Sequence, residues 1–295
     1  MPPLTAIQSS IQQRLIEKFA SVPNEIHFGS VGGGCSNKTY RINFDNHQFF
    51  CKINSATKFP HLFQRETNGL ELIAQQQIIK VPEVIDCFES NDQQILLLEW
   101  INEGERTENF WKKFGEQLAA LHQISNDYFG LIEDNYMGSV PQSNQQTDSW
   151  IDFFIQQRLQ PLINKCLSQK LLLPNHQLPF ENLYKQLPVI FEGKQKPSLL
   201  HGDLWSGNFM CHENSEPVLI DTAIYFGHPS IDLGMTALFG GFHSAFYEAY
   251  NYHSPFPLNH KEQWEVCNLY PLLIHLLLFG KTYLPQIETI LSQYN

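Results

Sequence analysis

The sequence lacks the cysteine and histidine patterns of a metal-binding or disulfide-stabilised protein. Its six cysteines are widely scattered along 295 residues and form no CxxC pair. Its twelve histidines include no metal-ligand spacing such as HExxH. These absences argue against a zinc ribbon and against a secreted disulfide scaffold, so we expect reduced and mostly buried thiols.

Positive charge and long hydrophobic runs are also scarce. Lys plus Arg number 19 against 30 Asp plus Glu, which gives a net charge of −11 that would repel a phosphate backbone. The longest apolar run, Leu269–Phe279, is far shorter than the roughly 20 residues of a membrane span. The N-terminus shows no signal-peptide pattern. We therefore expect a cytoplasmic protein without a nucleic-acid or membrane partner.

The composition is that of a folded globular protein, and the length is that of two domains or two lobes. Hydrophobic residues make up 42% and charged residues 17% of the chain. Apolar periodicity predicts the order α, β, β, β, α, β, β up to residue 100, and mainly helices after the polar, glycine-containing segment 101–105. One long helix is predicted over residues 263–279, and the polar residues 138–149 are predicted to form either a surface loop or a substrate-facing loop.

Two carboxylates and an amide at short spacing are the most informative feature. Asp203 is followed by Asn208 five residues later, and Asp221 comes after an apolar strand. Phosphoryl transfer from ATP needs a carboxylate that orients the attacking hydroxyl and oxygen ligands that hold Mg²⁺. This spacing matches the catalytic loop and metal-binding Asp of kinases.

A glycine turn and a strand lysine lie upstream in the order that kinases use. Neither GxxxxGK followed by Ser or Thr nor GxGxxG is present, but Gly32, Gly33 and Gly34 separate two predicted strands and would let backbone N–H groups approach phosphates. Lys52 is either a solvent-facing edge lysine or a phosphate contact. In the second case, Glu66 is its natural ion-pair partner, with Glu71 as the competing choice.

These segments together resemble the fructosamine kinase (ketosamine 3-kinase) family over nearly the whole chain. The N-terminal half carries Gly32-Gly33-Gly34-Cys35, Phe50-Cys51-Lys52 and Leu97-Leu98-Glu99-Trp100-Ile101. The C-terminal half carries HGDLWSGN at 201–208, Val218 to Asp221, Asp232 to Thr236 and LFGGF at 238–242. The two long strings are more specific than HGD, which aminoglycoside and choline kinases share.

The resemblance implies an α+β, bilobal, protein-kinase-like fold with an antiparallel-sheet N-lobe at residues 1–98, a hinge at 99–103 and a helical C-lobe at 104–295. It implies ATP and Mg²⁺, and a ketosamine or a glycated amine or protein as acceptor, in a monomer or weak homodimer. The implied roles fall on the following residues: Asp203 as the catalytic base; Asn208 and Asp221 as metal ligands; Gly32, Gly33, Gly34, Cys35, Lys52, Glu66, Glu99, Trp100 and Ile101 around ATP; Trp205 and His201 beside the substrate; and Asp232 as structural support.

Three questions stay open from the sequence. The chain has Thr222 where the family usually has proline after the metal-binding Asp, which keeps the ligand but alters local rigidity. The Cys35 thiol is either a small residue that fits the turn or a redox switch, as the resemblance suggests for some members. An aminoglycoside- or choline-type kinase is the alternative activity, and a nucleotide-binding pseudokinase is the non-enzymatic alternative.

Overall fold

A five-stranded antiparallel sheet dominates the N-terminal third of the chain. The computed structural model describes residues 4–32 and 37–294. The sheet has the order β1-β2-β3-β5-β4. Its strands and the two associated helices are α1 (Leu4–Phe19), β1 (Ile26–Ser30), β2 (Lys38–Phe44), β3 (His47–Ser55), α2 (Leu62–Gln76), β4 (Val84–Ser90) and β5 (Gln93–Glu99). The predicted element order up to residue 100 is confirmed.

Strand β5 shows how the sheet is held on both faces. Side chains alternate along a strand, so Ile95 and Leu97 face one side while Leu96 and Leu98 face the other. The first pair belongs to a core with the apolar face of α1, and the second pair packs in a core with α2 and the helical part of the chain. Because both faces of β5 are covered, its sequence is a continuous apolar run and not an alternation of apolar and polar residues.

The remainder is mainly helical with short two-stranded ribbons. Its elements are α3 (Glu108–Gln123), β6 (Asn135–Met137), β7 (Val140–Gln142), α4 (Trp150–Phe153), a π-helical turn (Phe154–Leu159), α5 (Gln160–Ser168), α6 (Gln177–Ile190), β8 (Ser198–Leu200), β9 (Phe209–Cys211), β10 (Pro217–Leu219), β11 (Tyr225–Gly227), α7 (Ser230–Leu238), α8 (Ser244–His253), α9 (His260–Cys267), α10 (Leu269–Phe279) and α11 (Leu284–Leu291). Single 3₁₀ turns are Pro174–His176, Lys281–Tyr283 and Ser292–Tyr294. The α+β class is confirmed.

Two predictions about the helical part are wrong. The single helix predicted over 263–279 is two helices, α9 and α10, that meet at Asn268. The stretch 138–149, predicted to be a surface or substrate-facing loop, contains β7 and buries Gln142 and Asn144. Burial of these amides is possible because their polar groups are satisfied: Asn144 Oδ1 accepts from Arg158 at 2.7 Å, and Gln142 Nε2 donates to the side-chain oxygen Oδ1 of Asn135 at 2.7 Å.

An apolar run too short for a membrane span indicates a buried helix, and α10 is a core helix. Leu272, Leu273 and Leu276 are fully enclosed in the largest hydrophobic core. Among residues 4–32 and 37–294, no helix is both long enough and apolar enough to cross a membrane.

Candidate active site

A buried lysine on β3 joins two carboxylates from distant parts of the chain. The Lys52 Nζ atom donates to Glu66 Oε1 on α2 at 2.6 Å and also to Asp221 Oδ1. Only 2% of Lys52 is exposed. Burial by itself lowers the pKa of Lys52, but attraction to Asp221 and Glu66 outweighs burial and leaves the pKa above its ordinary value. Lys52 is therefore a charged ammonium group inside the molecule.

The position of this lysine distinguishes between the two interpretations of its sequence context. Strand β3 lies between β2 and β5, so Lys52 is not on a sheet edge. Its side chain points into the protein, and the solvent-facing interpretation is wrong for this residue. Glu66 makes the ion pair, whereas Glu71 lies one and a half turns further along α2 and is exposed.

A tight loop brings Asp203 and Asn208 together. The Asn208 amide nitrogen donates to the Asp203 carbonyl oxygen at 2.8 Å and to its carboxylate Oδ2 at 2.9 Å. Trp205 N–H donates to the Asp203 carbonyl at 3.1 Å, and Asn208 N–H donates to the Trp205 carbonyl at 3.0 Å. Burial, followed by repulsion from Asp221, raises the pKa of Asp203 well above its ordinary value. The loop thus presents a carboxylate whose proton affinity is increased.

The ribbon of β9 and β10 carries Asp221 to the same place. Ile220 N–H donates to the Asn208 carbonyl at 3.1 Å, which sets the residue after it beside the Asp203–Asn208 loop. Asp221 has a φ of 55°, and 43% of its side chain is exposed. The structure therefore brings together Lys52, Glu66, Asp203, Asn208 and Asp221.

The Asp232 carboxylate at the start of α7 anchors the loop that carries Asp203 through hydrogen bonds. Its Oδ2 accepts from His201 N–H at 2.7 Å, and its Oδ1 accepts from Gly202 N–H at 2.9 Å. His122 on α3 lies 3.2 Å from the same Oδ2 and contacts the Tyr250 hydroxyl at 2.8 Å. Asp232 is fully buried, so its position is that of a structural support and not of a group that contacts substrate.

The backbone just before Asp203 requires glycine. Gly202 has a φ of 82°, and a Cβ there would stand 2.1 Å from the Ala223 carbonyl oxygen. Because Gly202 has no side chain, the loop backbone can lie close to Ala223, whose N–H donates to the His201 carbonyl at 2.9 Å. The same backbone position lets Asp232 bind the loop N–H groups. The HGD order therefore follows from backbone packing as well as from chemistry.

The predicted substrate contact of His201 is wrong. Its side chain is fully buried and Nε2 donates to the Ile220 carbonyl at 2.8 Å, so the imidazole links the two acidic segments instead of facing a ligand. Burial lowers the pKa of His201, and Nδ1 accepts from Asp203 N–H at 3.2 Å, as in a neutral imidazole. Trp205 differs: 39% of it is exposed, and its ring lies over Gly207, where a Cβ would be 2.4 Å away.

A cleft of about 240 Å³ adjoins these groups. Gly32, Glu99, Trp100 and Ile101 line it together with Lys52 and Asp221, and its other walls come from Val31, Asn37, Thr39, Phe50, Pro82, Leu98, Gly207, Met210 and Ile220. The Glu99 carboxylate is engaged by Lys80 Nζ at 2.8 Å, so this segment offers a ligand its backbone and not that carboxylate. Gly33, Gly34 and Cys35 lie outside the described residues.

Sequence reasoning did not identify His122 and Tyr250. His122 lies 110 positions before Asp232 and contacts its carboxylate, and Tyr250 lies 128 positions after His122 and contacts the His122 ring. Neither residue belongs to a motif with local spacing, so no signal in a single sequence pointed to them.

Within residues 4–32 and 37–294, no group of three or more His, Cys, Asp or Glu side chains is arranged to hold a metal ion.

The fructosamine kinase family model matches residues 6–295. The chain belongs to the fructosamine kinase family. Its relatives include a provisionally named ketoamine kinase of Synechocystis, 38% identical over 90% of this chain and 88% of that protein. They also include the chloroplastic protein-ribulosamine 3-kinase of Arabidopsis thaliana, 33% identical over 90% of this chain and 82% of that protein.

Solved structures agree with this membership. A provisionally named fructosamine-3-kinase from Haemophilus somnus superposes with a TM-score of 0.86 at 28% identity and covers 96% of both chains. A choline kinase from Streptococcus pneumoniae has a TM-score of 0.63 at 16% identity over 97% of this chain and all of that one, which shows a shared fold alone. The fold of this fructosamine kinase family member is therefore protein-kinase-like.

Proposed function

We propose that the protein is an ATP-dependent kinase that phosphorylates the 3-hydroxyl of ketosamines. The observation that carries the proposal is that the Lys52–Glu66–Asp221 cluster lies beside the Asp203–Asn208 loop, with Lys52, Asp221 and the loop residue Gly207 lining one cleft. Family membership over residues 6–295 supports it.

ATP is proposed to bind in the cleft between the sheet and the Asp203 loop. Lys52, positioned by Glu66, would contact the α- and β-phosphates, and Gly32 with the neighbouring glycine turn would cover them. The backbone of Glu99 to Ile101 would bind the adenine as a hinge between an N-lobe at 1–98 and a C-lobe at 104–295. This assignment agrees with the cleft lining, since residues of both regions contribute to it.

The donor set suits Mg²⁺. Asn208 uses its amide nitrogen on Asp203, which leaves the amide oxygen as a ligand, and the Asp221 carboxylate faces the cleft. Mg²⁺ favours one or two protein oxygen ligands completed by substrate phosphates. When bound there by Asn208 and Asp221, the ion would neutralise charge on the phosphates.

Asp203 is proposed to orient the sugar hydroxyl and to accept its proton. The hydroxyl oxygen forms a bond to the γ-phosphorus as the bond from that phosphorus to the bridging oxygen of ADP breaks, and the hydroxyl proton goes to the Asp203 carboxylate. Its raised pKa suits a group that takes up a proton. Trp205 would form a wall of the sugar site.

The acceptor class follows from the relatives. One is named a ketoamine kinase and another a protein-ribulosamine 3-kinase, so we propose fructosamines or ribulosamines, carried on free amines or on protein, as acceptors. A phosphate on the 3-oxygen labilises such an adduct, which makes repair of glycated amines the proposed role.

The test is ATP consumption by purified protein with Mg²⁺ and four acceptors in parallel: ribulose-lysine, fructose-lysine, choline and kanamycin. We expect turnover of ketosamines only, and a loss of kcat of about 10²- to 10⁴-fold in Asp203→Asn. Asp127→Asn, which changes an exposed aspartate away from the cleft, is the matched control and keeps wild-type rates. Turnover of choline or kanamycin alone, or an active Asp203→Asn, would overturn the proposal.

A further inference from the structure

A cluster of four rings, two exposed and two half-buried, adjoins the Asp203 loop and has no part in the proposed catalytic chemistry. We call it the aromatic shelf, and it consists of Phe239, His275, Phe279 and Tyr283. The His275 ring is its centre, with ring centroids 5.0 Å from Phe239, 5.4 Å from Phe279 and 5.0 Å from Tyr283. Phe239 is 38% exposed and Phe279 is 50% exposed.

The shelf is continuous with the loop that carries Asp203. Phe239 makes an edge contact with Trp205 at 6.4 Å between ring centroids, and Trp205 N–H is bonded to the Asp203 carbonyl. The turn after Phe239 also packs on the loop, since a Cβ on Gly241 would lie 2.7 Å from Ser206 Cβ. A series of ring contacts therefore leads from Trp205 on the loop that carries Asp203, through Phe239 and His275, to Phe279 and Tyr283.

The central histidine adds a hydrogen-bond acceptor to this surface. His275 Nδ1 lies 2.7 Å from the Pro271 carbonyl, so Nδ1 carries the proton and Nε2 keeps its lone pair. Burial lowers the pKa of His275, which agrees with a neutral ring. The shelf thus combines aromatic faces with one neutral acceptor, a combination suited to an alkylammonium group.

Building on the proposed function, we infer that the aromatic shelf binds the amine portion of the ketosamine and selects a lysyl side chain over a small amine. In a ketosamine, the nitrogen is attached to C1, two carbons from the reacting 3-hydroxyl. With that hydroxyl at Asp203, the nitrogen leaves the sugar site within a few bond lengths, on the side where Trp205 and Phe239 continue the surface. The alkyl stem of lysine would cover apolar ring area, and the protonated nitrogen would lie over ring faces.

The experiment compares two acceptors that share one sugar: a peptide containing ribulose attached to lysine, and the ribulose adduct of methylamine. The measured quantity is the ratio of kcat/KM for the peptide to kcat/KM for the methylamine adduct. We expect a wild-type ratio above about 10 and a fall of about tenfold in Phe279→Ser and in Phe239→Ser, equivalent to about 1.4 kcal/mol. Tyr252→Ser, an exposed aromatic outside the shelf, is the matched control and keeps the wild-type ratio.

The outcomes separate the two proposals. A wild-type ratio near one, or a high ratio that the Phe279 and Phe239 variants leave unchanged, would overturn the shelf while ketosamine phosphorylation stands. No phosphorylation of either adduct by the wild type would overturn the proposed function. Turnover of the methylamine adduct by each variant reports on folding, because that substrate has almost no amine portion for the shelf to bind.

Discussion

At the scale of single residues, the cleft depends on the charge of Lys52. A buried ammonium group is stable there because Glu66 and Asp221 compensate it, and removing one partner of a buried ion pair is costly. Of these two carboxylates, Glu66 is the one proposed to position Lys52 without binding the metal.

Glu66→Gln tests this positioning role. The amide cannot hold Lys52 electrostatically, so we expect KM for ATP to rise about tenfold, with a smaller fall in kcat. Steady-state kinetics with varied ATP at saturating ketosamine measure both. Glu71→Gln makes the same change on the exposed side of α2 and serves as control. An unchanged KM in Glu66→Gln, or an equal effect in Glu71→Gln, would contradict the role.

The residue scale is also where the sequence predicts most. Asp203, Asn208 and Asp221 lie within nineteen positions, so a local motif indicates them. The choice between Glu66 and Glu71 depends on which side of α2 faces β3. Apolar periodicity does not determine which of the two glutamates lies on that side. His201 was misassigned because the sequence does not show that its side chain turns inward to the Ile220 carbonyl.

At the scale of elements, helix α7 fixes the loop that carries Asp203. The Asp232 carboxylate at its first turn accepts two backbone N–H bonds from His201 and Gly202 and contacts His122 on α3. The loop position is therefore set by packing between helices.

Asp232→Asn should destabilise the protein and slow catalysis together. The amide offers one acceptor where the carboxylate offers two, and its NH₂ group opposes a backbone N–H, so we expect a loss of about 3 kcal/mol in the free energy of unfolding. Urea denaturation measures the loss, and kcat is measured under conditions where the variant is folded. In the exposed control Asp127→Asn, the change should stay within about 0.5 kcal/mol. A variant of Asp232 with wild-type stability would contradict the anchoring role.

The sequence predicts the bounds of an element where its apolar periodicity is regular. It does not predict them where contacts with other parts of the chain determine the bounds. Apolar periodicity over 62–77 predicts a helix, and α2 spans Leu62–Gln76. The break at Asn268 is not predicted because apolar periodicity continues across it. The burial of Gln142 and Asn144 could not be foreseen either, since their partners Arg158 and Asn135 become neighbours only in the fold.

At the scale of the whole molecule, buried histidines couple stability to pH. Burial, with repulsion from His122, lowers the pKa of His228 to about 3, from about 6.5 in an unfolded chain. Between these values the unfolded state binds more protons, so the free energy of unfolding falls as the pH falls. The contribution of His228 is fully present above about pH 6.5.

His228→Gln should reduce this dependence. Between pH 7 and pH 5, the wild type is expected to lose about 2 kcal/mol through His228 alone, and the variant should lack that component even though it is less stable at pH 7. Urea unfolding at the two pH values gives the difference. His253→Gln alters an exposed histidine and keeps the wild-type dependence. If the His228 variant has the wild-type slope, the buried neutral state is contradicted.

The most direct test of the central claim is where the phosphate goes. A ribulose-lysine peptide is incubated with the protein, Mg²⁺ and ATP, and the product is examined by ³¹P–¹H correlation NMR, with Asp203→Asn as the blank. We predict a single new phosphate ester on the 3-oxygen of the sugar, formed with one ADP per ester and absent from the blank. A phosphate on another hydroxyl, or release of inorganic phosphate without any ester, would contradict the account.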